Sequence, residues 1–250
     1  LVAVGTASNK ITFTGENTTP GFWGGIRFNN YSDDSLCELT HCIVEYGGYS
    51  TNENVYCNSA SPTLTNTELS YGSGPGIYCY NYSDPTIDTC NIHDNSNYGI
   101  SVDSFSSPQV LNTTISDNTI NGMQINGNSS PTVTGCIIST NLDYGIRVQN
   151  SSCLPVVSGC TFDGNGSYPV RAQPENVIGF TGNTYINNTN QQIYVQAGLI
   201  AQDLTWEAPG IPFYIDGTLT VQGTDGPDGV TTLTLNPGVV LNFFYSALLR

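Results

Sequence analysis

The chain repeats one arrangement of apolar and polar positions every 23 residues. Proline recurs with spacings of 23, 23, 23 and 24 residues, at Pro62, Pro85, Pro108, Pro131 and Pro155. An apolar residue keeps the same spacing, at Ile77, Ile100, Met123, Ile146, Val170 and Ile193. Internal repeats of roughly 20–50 residues are typical of solenoids, propellers and arrays. The chain is therefore expected to be built from many copies of one small unit.

Within each repeat, apolar and polar residues alternate. Ile100 and Val102 flank Ser101, which predicts a short strand with one buried face. In the clearest copy, strands are expected near 100–102, 109–111 and 113–115. So small a unit cannot bury its own apolar face, and successive units must stack in register. Because crossovers between parallel strands are right-handed, the pattern predicts an all-β, right-handed parallel β-helix of about ten coils.

The repeat is uneven along the chain, which we interpret as one β-helix domain spanning residues 1–250. Residues 61–197 hold the regular 23-residue coils. Residues 1–60 show the same alternation with longer turns and are expected to form irregular coils. The repeat is lost in residues 198–250, which predicts irregular coils or a segment that docks at the end of the stack.

Asparagine recurs at one turn position. It stands at Asn95, Asn118, Asn141, Asn165 and Asn188. Stacked side-chain amides donate and accept hydrogen bonds along such a column, and asparagine tolerates the left-handed backbone of a tight turn. We therefore predict a structural asparagine ladder.

The charge balance excludes several classes of partner. Five Lys and Arg oppose twenty Asp and Glu, giving a net charge of -15. Binding to nucleic acid requires a basic surface, so nucleic acid is not expected as a partner, nor are anionic membranes. No apolar run reaches the roughly 18 residues that span a bilayer, so membrane insertion is not expected. No signal peptide is visible at Leu1, which suggests a mature protein or an excised piece.

The cysteines suggest fillers of the core. Eight cysteines and two histidines show no C-x-x-C pair, so neither a zinc site nor any other cofactor is expected. Cys57 and Cys79, or Cys136 and Cys160, fall in adjacent coils and are near enough for a disulfide. In-register strands make its torsion unfavourable. Free thiols are favoured, and disulfides stay open.

One outward column carries aromatic and basic residues. Its candidates for sugar binding are Tyr56, Tyr78, Arg147, Arg171 and Tyr194. Exposed aromatic rings stack on sugars, but the same rings can serve only to pack neighbouring coils together. Both interpretations stay open at this point.

Catalytic equipment is sparse. Asp94 and Asp117 occupy the same column in adjacent coils, with His93 beside Asp94. A pair of carboxylates can act in polysaccharide cleavage. The favoured interpretation is that both belong to the turn next to the asparagine column, so no catalytic residue is assigned.

Eight Asn-x-Ser/Thr sequons offer candidate glycosylation sites, most of them at predicted turns. They are Asn17, Asn30, Asn81, Asn112, Asn128, Asn150, Asn165 and Asn187.

These repeats resemble those of the parallel β-helix superfamily, found in pectate lyases and in surface proteins, over roughly residues 10–195. The chain looks most like repeat regions of large secreted bacterial surface proteins. The motifs that carry this resemblance are GTASNKITFTG (5–15), GFWGGIRF (21–28), HCIVEYGG (41–48), SPTLTNTELSYG (61–72) and TLTLNPGVVLNF (232–243).

The resemblance implies an extracellular or cell-surface location. In the look-alike proteins, a stretch like the last motif leads into one like the first. We therefore expect a non-enzymatic structural protein whose coils stack head to tail, on copies of itself or on flanking tandem repeats. The alternatives are a polysaccharide-binding adhesin module and, less favoured, a polysaccharide lyase or glycoside hydrolase.

Overall fold

Each coil of the chain contributes one short strand to each of three parallel sheets. The structure is a computed structural model that describes residues 1–50, 53–224 and 229–250. All strand pairs run parallel and in register, and each strand pairs with the equivalent strand of the next coil. This confirms the predicted right-handed parallel β-helix.

The first two sheets have eight strands each in the described residues. Sheet I contains β1 (Val2–Val4), β4 (Glu38–Thr40), β7 (Thr63–Thr65), β10 (Thr86–Asp88), β13 (Gln109–Leu111), β16 (Thr132–Thr134), β19 (Val156–Ser158) and β22 (Phe180–Thr181). Sheet II contains β2 (Ile11–Phe13), β5 (Cys42–Glu45), β8 (Glu68–Ser70), β11 (Asn91–His93), β14 (Thr114–Ser116), β17 (Ile137–Ser139), β20 (Thr161–Asp163) and β23 (Thr184–Ile186).

The third sheet runs further. Across the described ranges, sheet III has ten strands: β3 (Ile26–Asn29), β6 (Val55–Asn58), β9 (Ile77–Tyr80), β12 (Ile100–Val102), β15 (Met123–Ile125), β18 (Ile146–Val148), β21 (Val170–Ala172), β24 (Ile193–Val195), β27 (Phe213–Ile215) and β30 (Leu241–Phe243). Eight coils therefore supply all three sheets, slightly fewer than the ten expected.

The C-terminal coils depart from the three-sheet plan. Strands β25 (Gly198–Ile200) and β28 (Leu219–Val221) pair with each other, as do β26 (Leu204–Trp206) and β29 (Leu233–Leu235). Short 3-10 helices lie at Asp34–Leu36 and Val177–Gly179. Within the described residues, no helix has the length and apolarity needed to cross a membrane.

The interior is filled by the alternating apolar residues. In the central coils, Ile100 and Val102 are fully buried, and Val110 and Ile115 from the other two sheets are buried opposite them. The glycine of the turn Asn121-Gly122-Met123 is required for close approach: a Cβ at Gly122 would lie 2.7 Å from both the Gly145 carbonyl oxygen and Ile138 Cγ2. Glycine stands at this entry to sheet III in four successive coils, at Gly76, Gly99, Gly122 and Gly145, and Pro169 takes its place in the next.

All eight cysteines are buried free thiols. Burial raises the pKa of the Cys90 thiol to about 12. The Cys90 sulfur donates to the Leu64 carbonyl at 3.5 Å. In the next coil Thr113 occupies the same column and donates to the Leu111 carbonyl at 2.8 Å. Cysteine and threonine thus share one inward position, where each side chain donates a hydrogen bond to a backbone carbonyl.

The asparagine ladder is continuous and longer than predicted. The Nδ2 of each asparagine donates to the Oδ1 of the next, at 3.1, 2.9, 3.0 and 2.9 Å from Asn95 through to Asn188. At one end Asn54 Nδ2 donates to Asn95 Oδ1 at 3.1 Å, passing the side-chain-free Gly72. At the other end Gln191 Oε1 accepts from Asn188 Nδ2 at 3.0 Å.

Candidate binding face on sheet III

The outward column of sheet III joins ten residues that pair in register from one coil to the next. It runs through Arg27, Tyr56, Tyr78, Ser101, Gln124, Arg147, Arg171, Tyr194, Tyr214 and Asn242. All five candidates for sugar binding therefore lie on one face. Bulky side chains occupy both halves of the column, and smaller ones separate them.

The C-terminal half forms what we call the arginine cluster. It comprises Tyr144, Arg147, Tyr168, Arg171, Tyr194 and Tyr214. The Arg171 guanidinium lies over the Tyr144 and Tyr194 rings, at 5.6 and 5.3 Å from their centroids. Tyr168 packs edge-on against Tyr194, with ring centroids 5.1 Å apart. Cation–π contacts of this kind hold a guanidinium in place without neutralising its charge.

The two guanidinium groups of this cluster, those of Arg147 and Arg171, form no salt bridge within the described part of the chain, although the chain is strongly acidic. The buried Nε atoms of both arginines also have no hydrogen-bond partner within the described part of the chain. Burial raises the pKa of nearby Asp143 above its usual value, although both arginines act to lower it. The cluster therefore presents two guanidiniums that lie near one carboxylate, Asp143, but form no salt bridge among the described residues.

The N-terminal half forms what we call the tyrosine cluster, made of Arg27, Tyr56, Tyr78 and Tyr80. The Arg27 guanidinium lies 5.2 Å from the Tyr56 centroid, and the Tyr56 and Tyr78 centroids are 5.6 Å apart. Burial and the Asp103 carboxylate raise the pKa of Tyr78 above its usual value. These rings pack across coils and also form a half-exposed aromatic surface.

The middle of the column is covered. Ser101 is 6% exposed and Gln124 is 3% exposed, although both point away from the core. Gln124 is held by polar neighbours: its Oε1 accepts from Asn121 Nδ2 at 3.0 Å and its Nε2 donates to Asn126 Oδ1 at 2.9 Å. The two clusters are thus separate surfaces rather than one continuous aromatic strip.

Comparison with known families agrees with this architecture. The profile described as "Right handed beta helix region" matches residues 24–199, more than half of the chain.

The chain belongs to the right-handed β-helix family.

Solved structures give the same fold at low identity. A variant of the periplasmic alginate epimerase AlgG aligns over 99% of this chain and 67% of its own, with a TM-score of 0.50 and 12% identity. The pectate lyase Pel9A aligns over 96% of this chain and 68% of its own, with a TM-score of 0.51 and 15% identity. At such identities the likeness shows the fold alone. No curated protein sequence matches this chain.

The weak catalytic candidates of this β-helix lie away from the sheet III face. Asp94 and Asp117 both have a left-handed backbone, with φ of 53° and 57°, immediately before ladder residues. Asp94 Oδ2 contacts His93 Nδ1 at 2.7 Å, and His93 Nε2 lies 3.4 Å from Glu68 Oε1. Glu68 Oε2 also lies 3.3 Å from Lys10 Nζ. Lys10, Glu68, His93 and Asp94 thus contact one another on the surface of sheet II. Among the described residues, neither Asp94 nor Asp117 forms an ion pair with either sheet III cluster.

A cavity of about 360 Å³ opens where the β-helix loses its regular coils. Phe180, Trp206 and Phe213 line it, and Glu207 is its one ionisable lining residue in the described chain. The Glu207 carboxylate accepts from Asn236 Nδ2 at 2.7 Å. The cavity therefore brings together no pair of acid and base.

The sequons differ in how exposed their asparagines are. Asn17, Asn30, Asn112, Asn128, Asn150 and Asn187 are exposed, and Asn81 is half-buried. Asn165 is fully buried in the ladder, where its Nδ2 donates to Asn188 Oδ1. A glycan on Asn165 would have to break the ladder, so this sequon does not suit the folded chain, whereas the exposed ones remain candidates.

Proposed function

We propose that this chain is an extracellular, non-enzymatic module that binds acidic polysaccharide through the arginine cluster. The observation that carries the proposal is the pair of neighbouring guanidiniums, Arg147 and Arg171, which form no salt bridge with any residue that the structure describes. Only five basic residues occur in the whole chain, so two in adjacent coils make a local exception to its acidic surface.

The chemistry of the cluster suits a sugar acid. A guanidinium presents a fork of donors that matches a carboxylate in a bidentate manner. Tyrosine rings such as Tyr194 and Tyr214 offer flat apolar surfaces that pack against the C–H face of a pyranose ring. A uronic acid carries both features on one residue, a carboxylate and an apolar ring face. The parallel stacking of coils, roughly 4.8 Å apart, would present these groups to successive sugars.

The structural relatives support this choice of ligand class. Their names refer to alginate and pectate, both acidic polysaccharides, and one of them is periplasmic. We carry over only the class of polymer and a location outside the cytoplasm. Two carboxylates act on groups of the arginine cluster, Asp143 on its arginines and Asp216 on Tyr194. We propose binding without cleavage, which the incubation described below tests.

The test is calorimetric titration of the protein with oligogalacturonate and oligomannuronate. We expect wild type to bind at least one of them, and the variant Arg147→Ala/Arg171→Ala to lose about tenfold or more in affinity, since charge-assisted hydrogen bonds contribute about 1.5–3 kcal/mol each. The control is Lys10→Ala/Arg250→Ala, which removes the same charge elsewhere and should bind as wild type does. If the two variants lost affinity equally, net charge alone would explain the binding, and the proposal would be contradicted.

A parallel incubation separates binding from catalysis. The same oligomers are analysed for chain length and for unsaturated ends after prolonged exposure to the protein. We expect them to be unchanged. Shortened or unsaturated products would favour the enzyme interpretation, and Asp94→Ala/Asp117→Ala would then show whether those carboxylates take part.

A second candidate function is stacking of coils end to end into a longer rod. The observation that favours it is the apolar character of the outermost strands: Val2 and Val4 are 62% and 54% exposed, and Phe243 is 43% exposed. Unpaired strand edges accept further strands, from continuing chain or from another copy. Electron microscopy of the isolated chain tests the second source. Rods longer than a single stack would support it, and uniform single particles at high concentration would contradict it.

A further inference from the structure

Two exposed aromatic residues stack on the turn that follows sheet III. Tyr82 is 63% exposed and Phe105 is 49% exposed. They occupy the same position in successive coils, and their rings are nearly parallel, with an interplanar angle of 7° and centroids 5.2 Å apart. The backbone fixes the pair, since the Tyr82 N–H donates to the Ser104 carbonyl at 3.0 Å. The core does not use these rings.

The backbone at both positions is unfavourable for an aromatic residue. Tyr82 and Phe105 have φ of 61° and 64°, in the left-handed region. In the next coil Asn128 takes the same position with φ of 62°. Asparagine is suited to this conformation, whereas a bulky side chain pays a steric cost. The two aromatic residues thus disfavour folding locally and expose apolar surface, a combination that clusters at functional sites.

We propose that Tyr82 and Phe105 form a separate sugar subsite, specific for uncharged sugar rings. The inference rests on the proposed polysaccharide binding and extends it to a second surface. The exposed area of two rings is small, since a whole aromatic side chain buries about 150–250 Å². A stable protein interface needs about 800 Å² from each partner. One or two sugar rings therefore match the area of the Tyr82–Phe105 pair, which we call the platform, better than a protein does.

The surroundings of the platform decide the charge of its ligand. The Asp103 carboxylate accepts from the Ser104 N–H at 2.6 Å, directly before Phe105. The same carboxylate acts on Tyr78, where it adds to the effect of burial in raising the pKa of that phenol. Asp103 therefore lies close to Phe105 in the chain and acts on Tyr78, and it would repel a uronate bound at the Tyr82–Phe105 pair. Amide and hydroxyl groups of Asn81, Asn58 and Ser59 form a linked polar rim that suits sugar hydroxyls.

The test uses the variant Tyr82→Asn/Phe105→Asn and neutral hexasaccharides of the cello-, manno- and xylo- series. We expect wild type to bind at least one series and the variant to lose about tenfold or more in affinity, because both stacking surfaces are gone. Tm of the variant should equal or exceed that of wild type, since asparagine relieves the left-handed strain at both positions. The control Tyr31→Asn removes a tyrosine that is 95% exposed and should leave binding unchanged.

Several outcomes would overturn the subsite. They are a wild type that binds none of the neutral probes, a variant that binds as wild type does, and a variant whose Tm falls by several degrees because the pair is structural. The proposed function fails separately, if oligouronides do not bind or if their binding ignores Arg147 and Arg171. If Tyr82→Asn/Phe105→Asn loses neutral-sugar binding but keeps oligouronide binding, the result would support both the subsite and the proposed function.

Discussion

Two columns of side chains run along the rod, and they differ in how strictly the sequence repeats. The inner column places asparagine in successive coils, each buried and each bonded to the next. The outer column of sheet III keeps the same spacing but changes residue from coil to coil, among arginine, tyrosine, serine and glutamine. Among the described residues, Arg147 and Arg171 of this column form no salt bridge and their Nε atoms have no hydrogen-bond partner, whereas every ladder amide from Asn95 to Asn188 is satisfied.

This difference separates stability from binding. Each asparagine inside the ladder is hydrogen-bonded to the asparagines of the coils above and below. Replacing one of them therefore breaks two side-chain hydrogen bonds at once. The exposed positions of the outer column have no such repeated hydrogen bond, so their side chains are free to differ from coil to coil. The comparison predicts that changes in the inner column act on folding and changes in the outer column act on ligands.

The largest effect is expected from Asn141→Ala. It removes the acceptor of the Asn118 amide at 2.9 Å and the donor to Asn165 at 3.0 Å. We expect a loss of about 3–5 kcal/mol in the free energy of unfolding, because each buried group left unpaired costs about 1–3 kcal/mol. Urea unfolding measures it. Asn150→Ala, at an exposed turn, is the matched control, and a similar small loss in both variants would contradict the role of the ladder.

A smaller loss is expected from Gly122→Ala. The added Cβ would lie 2.7 Å from Ile138 Cγ2 and from the backbone oxygen of Gly145. Overpacking of this kind costs about 1–3 kcal/mol, again read from urea unfolding. Gly24→Ala provides the control, since no atom lies within 4 Å of its Cβ position. If the two substitutions had equal effects, glycine would not be required where the coil enters sheet III.

Stability should also fall in alkali. Burial raises the pKa of Tyr78, Tyr185 and Tyr194 in the folded chain. Their ordinary pKa is about 10, so folded and unfolded chains bind these protons equally below that pH. Above it the unfolded chain loses them first, and stability decreases as pH rises. Absorbance titration should show these phenols ionising only on unfolding. If all tyrosines ionised in a single transition near their ordinary pKa while the chain stayed folded, this prediction would be refuted.

The smallest effect on stability is expected from Arg171→Ala. Its guanidinium contacts the Tyr144 and Tyr194 rings, and an exposed cation–π contact contributes about 0.5–1 kcal/mol. The free energy of unfolding should therefore fall by about 1–2 kcal/mol for the two contacts, while affinity for oligouronide drops. The variant Arg171→Lys keeps the charge without the planar fork and should restore only part of the affinity. Full restoration by lysine would point to charge alone.

The repeat made the fold predictable, and departures from the repeat set the limits. Proline, glycine and asparagine recur because each coil needs the same turns, so the strands and most of the ladder follow from spacing. The right-handed sense follows from the general preference of crossovers between parallel strands. Asn54 and Gln191 were not predicted because neither stands at the repeated ladder position. Asn54 reaches Asn95 past Gly72, and Gln191 bonds Asn188 from within the same turn. Residues after 198 leave the first two sheets, where no spacing remained to guide an assignment.

The binding face was predictable in part for the same reason. Tyr56, Tyr78, Arg147, Arg171 and Tyr194 share one column, which the period alone identifies. Tyr144 and Tyr168 lie on the preceding turn, and only the packed structure brings them against Arg171 and Tyr194. The absence of salt bridges to these arginines within the described chain likewise depends on side-chain geometry, which alternation does not report.

The central claim is that the outer column binds and the inner column holds the fold. It is tested most directly by titrating oligogalacturonate or oligomannuronate, whichever wild type binds, into Asn141→Ala and into Arg147→Ala/Arg171→Ala, at a temperature where both remain folded. The account predicts wild-type affinity in the ladder variant and a loss of about tenfold or more in the arginine variant. Equal affinities in the two variants, or a loss confined to the ladder variant, would contradict it.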